Sequence, residues 1–527
     1  MAIIPFENQS ASREIDWAGL AIAQLTASAA VGGKSLHVFV AADTNEAFRG
    51  RASRIVTGSI SGTGNTLTLS GVIQDGRVRT VAPLSLSGDA LTITRQLARQ
   101  LQPDSRELTA KSSEAVQLFG QAQTAASPQQ AAAMLEQCVA RDPGFVEGQL
   151  ALARLRGAPP SLPGGAKLDP IDSARVQLAQ ARTDADRIGA AERLAGVLPA
   201  DPEPAAAAGM IFLRERQYER SMVWLRKATL VDPDAAEHWN TLSYVQAYAG
   251  NLSEAVASNA EYAKRISGGN ASDSLGEIYF MHGKFAEAEK AFLEAYQKQP
   301  DLLGYATLRK AALARRSAGD AKGADAIFQR YLDAQSQNPL REVFAAQWEY
   351  SAGNAPQAIS RLEKFAREKN ASAAWSQLAV WRRIGGGSGT EEAKKSLETA
   401  AAGRDRLSAA LAYFVTMSPA APAEWRSRAE RTFPQGTDPQ MRTGVLAYGL
   451  LMDRHFADAV PPLTALWKGG PVIGANEWAV PLAWALAQTG KPGEARDLLK
   501  YWPIPDSLAE SIFSAWMTAK VPQLRKL

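Results

Sequence analysis

Residues 276–300, GEIYFMHGKFAEAEKAFLEAYQKQP, decide the fold of this chain. Apolar residues recur at helical spacing on both sides of Gly283, and Pro300 closes the second run, because proline cannot continue a helix. The arrangement returns at steps of about 34 residues between about residue 205 and residue 400. A repeat of this length is one helical hairpin that cannot bury its apolar face alone, so hairpins stack on one another.

The repeat places small residues where helices touch and aromatic rings where hairpins meet. Its further copies are marked by Gly209, Phe212, Leu225, Ala228 and Pro233; Trp239, Leu242, Gly250 and Ala255; Ala312, Gly319, Ala324 and Phe328; Ala346, Gly353, Ala358 and Leu362; and Trp375, Leu378, Ala379, Gly386 and Leu397. With these residues the chain resembles tetratricopeptide repeat (TPR) proteins. The resemblance implies a mostly α fold, a right-handed superhelix of hairpins whose concave groove holds a protein or peptide.

The flanks of this block match the repeat less well. We expect hairpins near residues 113–143 and 171–199, and an irregular loop at 157–170, GAPPSLPGGAKLDP. Roughly nine or ten hairpins are predicted, with degenerate ends as in other solenoids. The helical repeat domain is therefore predicted to span residues 105–527.

Residues 1–104 have a different pattern. A short strand at Ile3 and Ile4 precedes a helical stretch over 14–29, and Leu36, Val38 and Val40 predict a second strand. Three strand-like runs follow, RIVTGSI, TLTLSGVI and VRTVAPLSL, with Gly/Asn and Asp/Gly turns that indicate hairpins. Asp89 is placed to cap a helix over about 90–102. The predicted order is β-α-β, a three-stranded meander, then α.

Five stretches of this region occur in the order of the TolB amino-terminal-like domain: AIIPFENQS at 2–10, WAGL at 17–20, IVTGSI at 55–60, GNTL at 64–67 and IQD at 73–75. Residues 1–104 resemble that small α/β domain, which implies a bacterial source and often an envelope or sensor protein. The chain departs from the family between the second and third strands, where only about two helical turns fit.

Composition and charge exclude some functions. The chain has 527 residues, 58 basic and 54 acidic side chains and a formal net charge of +4, so a nucleic-acid partner is not indicated. No apolar run is long enough to span a bilayer, and we predict no direct membrane insertion. Met1 leads directly into a strand, which suggests that a preceding signal or anchor has been removed. We therefore expect the bacterial periplasm or envelope, with the cytoplasm as the alternative.

Nothing in the sequence indicates catalysis or a cofactor. The four histidines have no metal-ligand spacing, and Cys138, the single cysteine, falls at a small buried position. The run Gly385–Thr390 lacks the lysine and preceding strand of a phosphate loop, which indicates a turn between two helices. We predict a protein that is not an enzyme and has no cofactor or metal.

The first helix of each hairpin lines the groove in the TPR resemblance. The predicted groove residues are Arg214, Asn240, Tyr244, Asp273, Glu277, Arg309, Arg316, Gln347 and Arg383. We expect Arg309, Arg316 and Arg383 to form one exposed wall that prefers an acidic or C-terminal segment, which Asp273 and Glu277 orient by repulsion. The alternative is that all these residues are merely solvated polar positions.

Five tryptophans near the C-terminal end favour core packing over an interface: Trp467, Trp478, Trp484, Trp502 and Trp516. The first hypothesis for the whole chain is a non-enzymatic scaffold that binds a protein or peptide in its groove. The alternative is the extracytoplasmic sensor region of a kinase- or cyclase-like signalling protein. The partner and the oligomeric state stay open.

Overall fold

The computed structural model describes residues 1–10, 12–31, 36–76, 78, 80–433, 438–474, 476–500 and 511–527. The chain divides into two compact units, Met1–Leu242 and Ser243–Leu527, which are described separately.

The first unit begins with a mixed sheet. Its strands are β1 Ala2–Ile3, β2 Glu7–Asn8, β3 Phe39–Val40, β4 Arg54–Thr63, β5 Thr66–Asp75 and β6 Thr80–Gly88. They lie in the order β3-β1-β4-β5-β6, and β2 pairs with β4. Strand β1 runs parallel to both neighbours, whereas β4, β5 and β6 form the predicted antiparallel meander. The predicted second strand is shorter than expected, because only Phe39 and Val40 pair with β1.

Three helices and one 3-10 turn accompany the sheet: the 3-10 turn Arg13–Ile15, α1 Ala18–Ala30, α2 Thr44–Arg49 and α3 Ala90–Leu101. The Asp89 carboxylate accepts a hydrogen bond of 2.7 Å from the Thr92 backbone N–H, which confirms the predicted cap. Helix α2 has six residues and fits the short space expected there. Helices α1 and α3 pack together and cover the sheet with their apolar sides.

The helices of the first unit that follow the sheet are α4 Ser113–Gln123, α5 Pro128–Arg141, α6 Val146–Arg156, α7 Pro170–Gln180, α8 Asp184–Val197, α9 Pro202–Arg214 and α10 Tyr218–Val231. The loop predicted at 157–170 is confirmed between α6 and α7. The sheet core continues into α4 and α5, since Phe119, Leu135 and Phe145 belong to the same buried cluster as Ile3 and Ile22.

A buried ion cluster accompanies this shared core. Arg106 is 7% exposed and forms an ion pair with Asp172 at 2.7 Å. It donates to Glu147 at 3.0 Å and to the Ser28 backbone carbonyl of α1 at 2.7 Å. These carboxylates hold the pKa of Arg106 above its ordinary value, while burial raises the pKa of Asp172. Ion pairs and hydrogen bonds of this cluster therefore connect α1 to α6 and α7, in addition to the apolar packing.

The second unit consists of helices. Helix α11 Ala236–Tyr248 ends in it, and the others are α12 Leu252–Ala263, α13 Asn270–Met281, α14 Phe285–Lys298, α15 Ala306–Ser317, α16 Ala321–Ala334, α17 Arg341–Ser351, α18 Ala355–Lys369, α19 Ser372–Ile384, α20 Thr390–Thr399, α21 Arg404–Val415, α22 Pro422–Thr432, α23 Pro439–Met452, α24 Phe456–Gly469, α25 Ala479–Gln488, α26 Pro492–Leu499, α27 Ser514–Thr518 and α28 Val521–Leu524. Helices that follow one another pack side by side through most of the unit. The fold is thus mostly α, a solenoid-type series of hairpins after a small α/β region.

The hairpin around Gly283 shows why the repeat has its small residues. A Cβ atom built on Gly276 would lie 2.5 Å from Cε1 of Phe292, so α13 and α14 approach as closely as expected. Gly283 makes the turn between them with φ of +69°, a left-handed conformation that favours glycine. The glycine run at 385–389 likewise lies in the turn between α19 and α20.

Candidate functional site

The first helices of successive hairpins in the second unit carry a row of polar side chains. Tyr244 lies on α11, Asp273 and Glu277 on α13, Arg309 and Arg316 on α15, Gln347 on α17, and Arg383 on α19. The remaining two predicted residues, Arg214 and Asn240, lie in the first unit, where Arg214 is exposed at the end of α9 and Asn240 is half-buried. The assignment of these nine residues to a binding groove stays a prediction.

Lys310 joins the acidic residues of this row into a buried cluster. Its Nζ lies 2.7 Å from both Asp273 Oδ2 and Glu277 Oε1, and its side chain is 2% exposed. Tyr244 donates its hydroxyl to Glu277 Oε2 at 2.7 Å, and burial beside this carboxylate raises the Tyr244 pKa well above its ordinary value. A lysine thus already neutralises part of the charge of these two carboxylates, and their expected repulsion of a partner's negative end stays a prediction.

The exposure expected for two of the arginines is corrected as well. Arg309 is 8% exposed, and its guanidinium faces the ring of Tyr331 at 5.5 Å. Arg316 stacks on Trp348 at 3.2 Å from the ring centroid and donates to Ser351 at 3.0 Å; burial lowers the Arg316 pKa to about 10. An aromatic ring faces each of the two cations, so Arg309 is buried and Arg316 is half-buried against Trp348.

Arg383 is also engaged. It forms an ion pair with Asp453, the residue that follows α23, whose carboxylate accepts 2.8 Å hydrogen bonds from Trp425 Nε1 and the Ala420 backbone N–H. The three arginines thus have different partners within the second unit, and their assignment to one wall of a groove stays a prediction. Sequence spacing gave the correct helices but could not show these long-range partners.

Two glutamines, one of which the sequence analysis missed, contact a chain segment directly. Gln347 donates to Gln377 Oε1 at 2.9 Å, and Gln377 donates to the backbone carbonyl of Ile512 at 2.7 Å. Gln377 lies on α19 and is fully buried. A glutamine inside a helix that is otherwise apolar at 378–381 is the signal that could have identified it.

Residues 511–527, here called the terminal segment, lie along the first helices of several hairpins. Helix α27 of the segment packs against α17 and α25. Phe513 stacks on Tyr448 of α23 at 3.7 Å, and Trp516 meets Trp484 of α25 edge-on at 5.1 Å. The Arg525 guanidinium lies 5.2 Å from the ring of Phe280 on α13. We call the surface of these first helices that touches the terminal segment the inner face.

The polar cluster shares the inner face with this segment. Asp273, Glu277 and Phe280 follow one another at helical spacing on α13, so they form one stripe. The predicted packing role of the tryptophans agrees with Trp516 and Trp484, whose rings contact each other, and with Trp478, which lies against Tyr448. Trp502 lies outside the described residues.

Cys138, the single cysteine of the chain, is buried in the first unit. Burial and the nearby Asp142 raise the pKa of the Cys138 thiol to about 12, which keeps it protonated. In the part of the chain that the structure describes, no group of three or more histidine, cysteine, aspartate or glutamate side chains could hold a metal ion. No helix of those described residues has the length and apolar character needed to cross a bilayer.

No protein-family model matches the sequence, and no curated protein matches it. Solved structures with helical repeats do align. TTC0263, a thermophilic TPR protein of Thermus thermophilus, is 17% identical, covers 38% of this chain and 94% of its own, and has a TM-score of 0.25. YrrB, described as a TPR protein with an unusual peptide-binding site, is 11% identical over 39% of this chain and 95% of its own, with a TM-score of 0.26.

The human IFIT1 dimer with PPP-AAAA is 12% identical over 67% of this chain and 89% of its own, with a TM-score of 0.27. At these scores the similarity carries no argument about ligand or partner. The class of the fold rests on the chain's own hairpins and their step of about 34 residues. On that ground the fold is an α-solenoid of helical hairpins.

Proposed function

We propose that this chain is a non-enzymatic scaffold that binds a protein or peptide on the inner face of its second unit. The observation that carries the proposal is the bond from Gln377 Nε2 to the Ile512 carbonyl, because it is the contact by which a groove side chain holds a peptide backbone. Nucleic acid is not the proposed partner, since the net charge is only +4.

The proposal also includes the domain boundaries, the domain family and the bacterial source that the sequence analysis predicts. We propose that residues 1–104 are a TolB amino-terminal-like domain, that residues 105–527 are the repeat domain, and that the source is bacterial. The support is the set of five matching stretches, together with the strand and helix order found in the first unit. A place in the periplasm or envelope follows from that resemblance.

The predicted arginines can be tested against this proposal one at a time. A peptide selected from a displayed library would be titrated against Arg309→Gln, Arg316→Gln and Arg383→Gln at low and moderate salt. Weaker binding with a smaller salt dependence is expected where the arginine contacts the peptide. Arg367→Gln, on the exposed side of α18, is the matched control.

Urea unfolding of each variant separates lost binding from lost folding, because the three arginines have partners within the chain. If every variant with the parent's unfolding midpoint bound the peptide as the parent does, the arginines would not be groove residues. The tryptophan-rich end or residues 1–104 would then be the better candidate surface.

A further inference from the structure

We propose that the inner face, from α13 to α25, recognises a short apolar helix with aromatic anchors, and that the terminal segment is its resident occupant. A partner segment of the same chemistry replaces it. This inference rests on the proposed binding role of the inner face. It adds the chemical class of the partner and the competitor that the partner must displace.

The anchors of the terminal segment lie on one helical stripe. Trp516 follows Phe513 by three positions, and Met517 comes directly after Trp516. All three residues are at most 5% exposed. Their partners come from other helices: Tyr448 stacks on Phe513 with an angle of 14° between the rings, and Trp484 meets Trp516 at 80°. A partner helix with aromatic and apolar residues at this spacing makes the same contacts.

A side chain of the inner face binds the backbone of the terminal segment, as the side chains of a groove bind a peptide ligand. Gln377 binds the Ile512 carbonyl just before α27, and Gln347 fixes the Gln377 amide by a bond to its oxygen. Neither of these two hydrogen bonds involves a side chain of the terminal segment. Any segment that presents a carbonyl at this position can therefore accept the same bond.

Two features make the resident segment replaceable. Helices α27 and α28 have five and four residues, and helices this short do not persist alone in water, so the inner face supplies their order. The end of the segment also leaves part of its surroundings uncovered: an open pocket of about 410 Å³ lies beside Leu524 and Arg525. Its lining includes Phe280, Met281, His282 and Phe285 and the basic side chains of Arg496 and Lys500.

The end of the segment carries cations over aromatic rings. Lys520 Nζ lies 5.0 Å from the Trp484 ring, and the Arg525 guanidinium lies 5.2 and 5.5 Å from the rings of Phe280 and Phe285. A basic residue after the apolar stripe therefore suits the same surface. The partner class is an apolar-aromatic helix with a basic end, not an acidic tail.

The test uses a fluorescein-labelled synthetic peptide with the sequence of residues 511–527, added to the full chain and followed by fluorescence anisotropy. The parent should bind it weakly, because the tethered segment competes at a high effective concentration. The double variant Phe513→Ala/Trp516→Ala releases the tethered competitor and should bind the peptide at least about 10-fold more tightly. Gln523→Ala, exposed on the same segment, should bind like the parent.

Adding Gln377→Ala to the double variant should weaken peptide binding again, and a peptide with Ala at positions 513 and 516 should not bind. Equal affinity of the parent and the double variant would overturn the resident occupant. If the double variant does not fold, a second measurement on the parent tests the same point. Excess isotope-labelled peptide is added to the parent, and hydrogen exchange of residues 511–519 of the parent chain is followed by mass spectrometry. Faster exchange is expected, and unchanged exchange at saturating peptide would contradict the proposal.

Other outcomes are distinguishable. A concentration-dependent dimer that exchanges terminal segments between copies, detected by analytical ultracentrifugation, would overturn the proposal in favour of a swapped pair. If the 511–527 peptide never competes while a library-selected peptide still binds the parent and is lost with the groove arginine variants, the proposed function stands and only the resident occupant fails.

Discussion

Lys310 Nζ lies 2.7 Å from Asp273 Oδ2 and the same distance from Glu277 Oε1, so one lysine of α15 bridges two carboxylates of α13 inside the second unit. The three residues link successive hairpins on the inner face. The lysine follows Glu277 by about one repeat length, which is why neighbouring first helices bring them together. This contact neutralises part of the negative charge that the two carboxylates bring to α13.

Lys310→Met should destabilise the second unit by about 3–5 kcal/mol, because it leaves two buried carboxylates without their cation. Urea unfolding followed by circular dichroism measures the loss. Lys290→Met, at an exposed position of α14, is the control and should change the free energy of unfolding by less than about 0.5 kcal/mol.

The triple variant Asp273→Asn/Glu277→Gln/Lys310→Met should recover part of that loss, because no buried charge remains unpaired. A triple variant no more stable than Lys310→Met alone would show that the cost comes from packing of the lysine stem. The charge account of the cluster would then be wrong.

Gly276→Ala should cost about 1–3 kcal/mol, since the new Cβ would lie 2.5 Å from the Phe292 ring and force it aside. The matched control is Gly196→Ala in α8, where a Cβ has no neighbour within 4 Å. That control should be stabilising by about 0.5–1 kcal/mol through helix propensity. Thermal unfolding of both variants checks the opposite signs, and a Gly276→Ala variant as stable as the parent would contradict the close approach of α13 and α14.

Arg106→Met should destabilise the first unit by about 3–5 kcal/mol, because Glu147 and Asp172 lose their buried cation. The comparison is Arg141→Met, which breaks an ion pair with Glu114 whose side chains are 56% and 54% exposed. That exposed pair should be worth about 0–1 kcal/mol. Equal losses for the two arginines in urea unfolding would mean that burial does not strengthen the Arg106 cluster.

The stability of the second unit should fall as the pH drops below about 6.5. Burial lowers the pKa of His282, whose Nε2 lies 3.0 Å from the Ala247 carbonyl. The unfolded chain then takes up a proton before the folded chain does, so stability present above the unfolded pKa is lost towards lower pH. Urea unfolding at about pH 7.5 and about pH 5.5, on either side of that pKa, should show a smaller drop for His282→Gln than for the parent. An identical drop would remove His282 as a cause.

The hairpins and the meander could be predicted from the sequence because their signals are local. Gly276, Gly283 and Pro300 act within one hairpin, and Asp89 caps the helix that follows it, so spacing alone is sufficient. The structure bears out the fold class for this reason. The resemblance of residues 1–104 to a TolB-like domain and the groove assignment stay predictions.

The side-chain partners could not be predicted, because they join residues far apart in the sequence. Arg383 pairs with Asp453, 70 residues away, and Gln377 binds the Ile512 carbonyl, 135 residues away. Helical register places a side chain on a face but does not say what covers that face. The role of Lys310 could not be predicted for the same reason. From the sequence, Asp273 and Glu277 are expected to face a ligand, whereas in the structure they contact Lys310 of the next hairpin.

The central claim is that the inner face of the second unit binds a peptide. Its most direct test is hydrogen exchange of the full chain with and without a peptide selected from a displayed library. Binding should slow exchange in the first helices that form the inner face, α13, α17, α19, α23 and α25, while their hairpin partners α14, α18, α20, α24 and α26 change little. Protection confined to those second helices, or to residues 1–104, would contradict the claim.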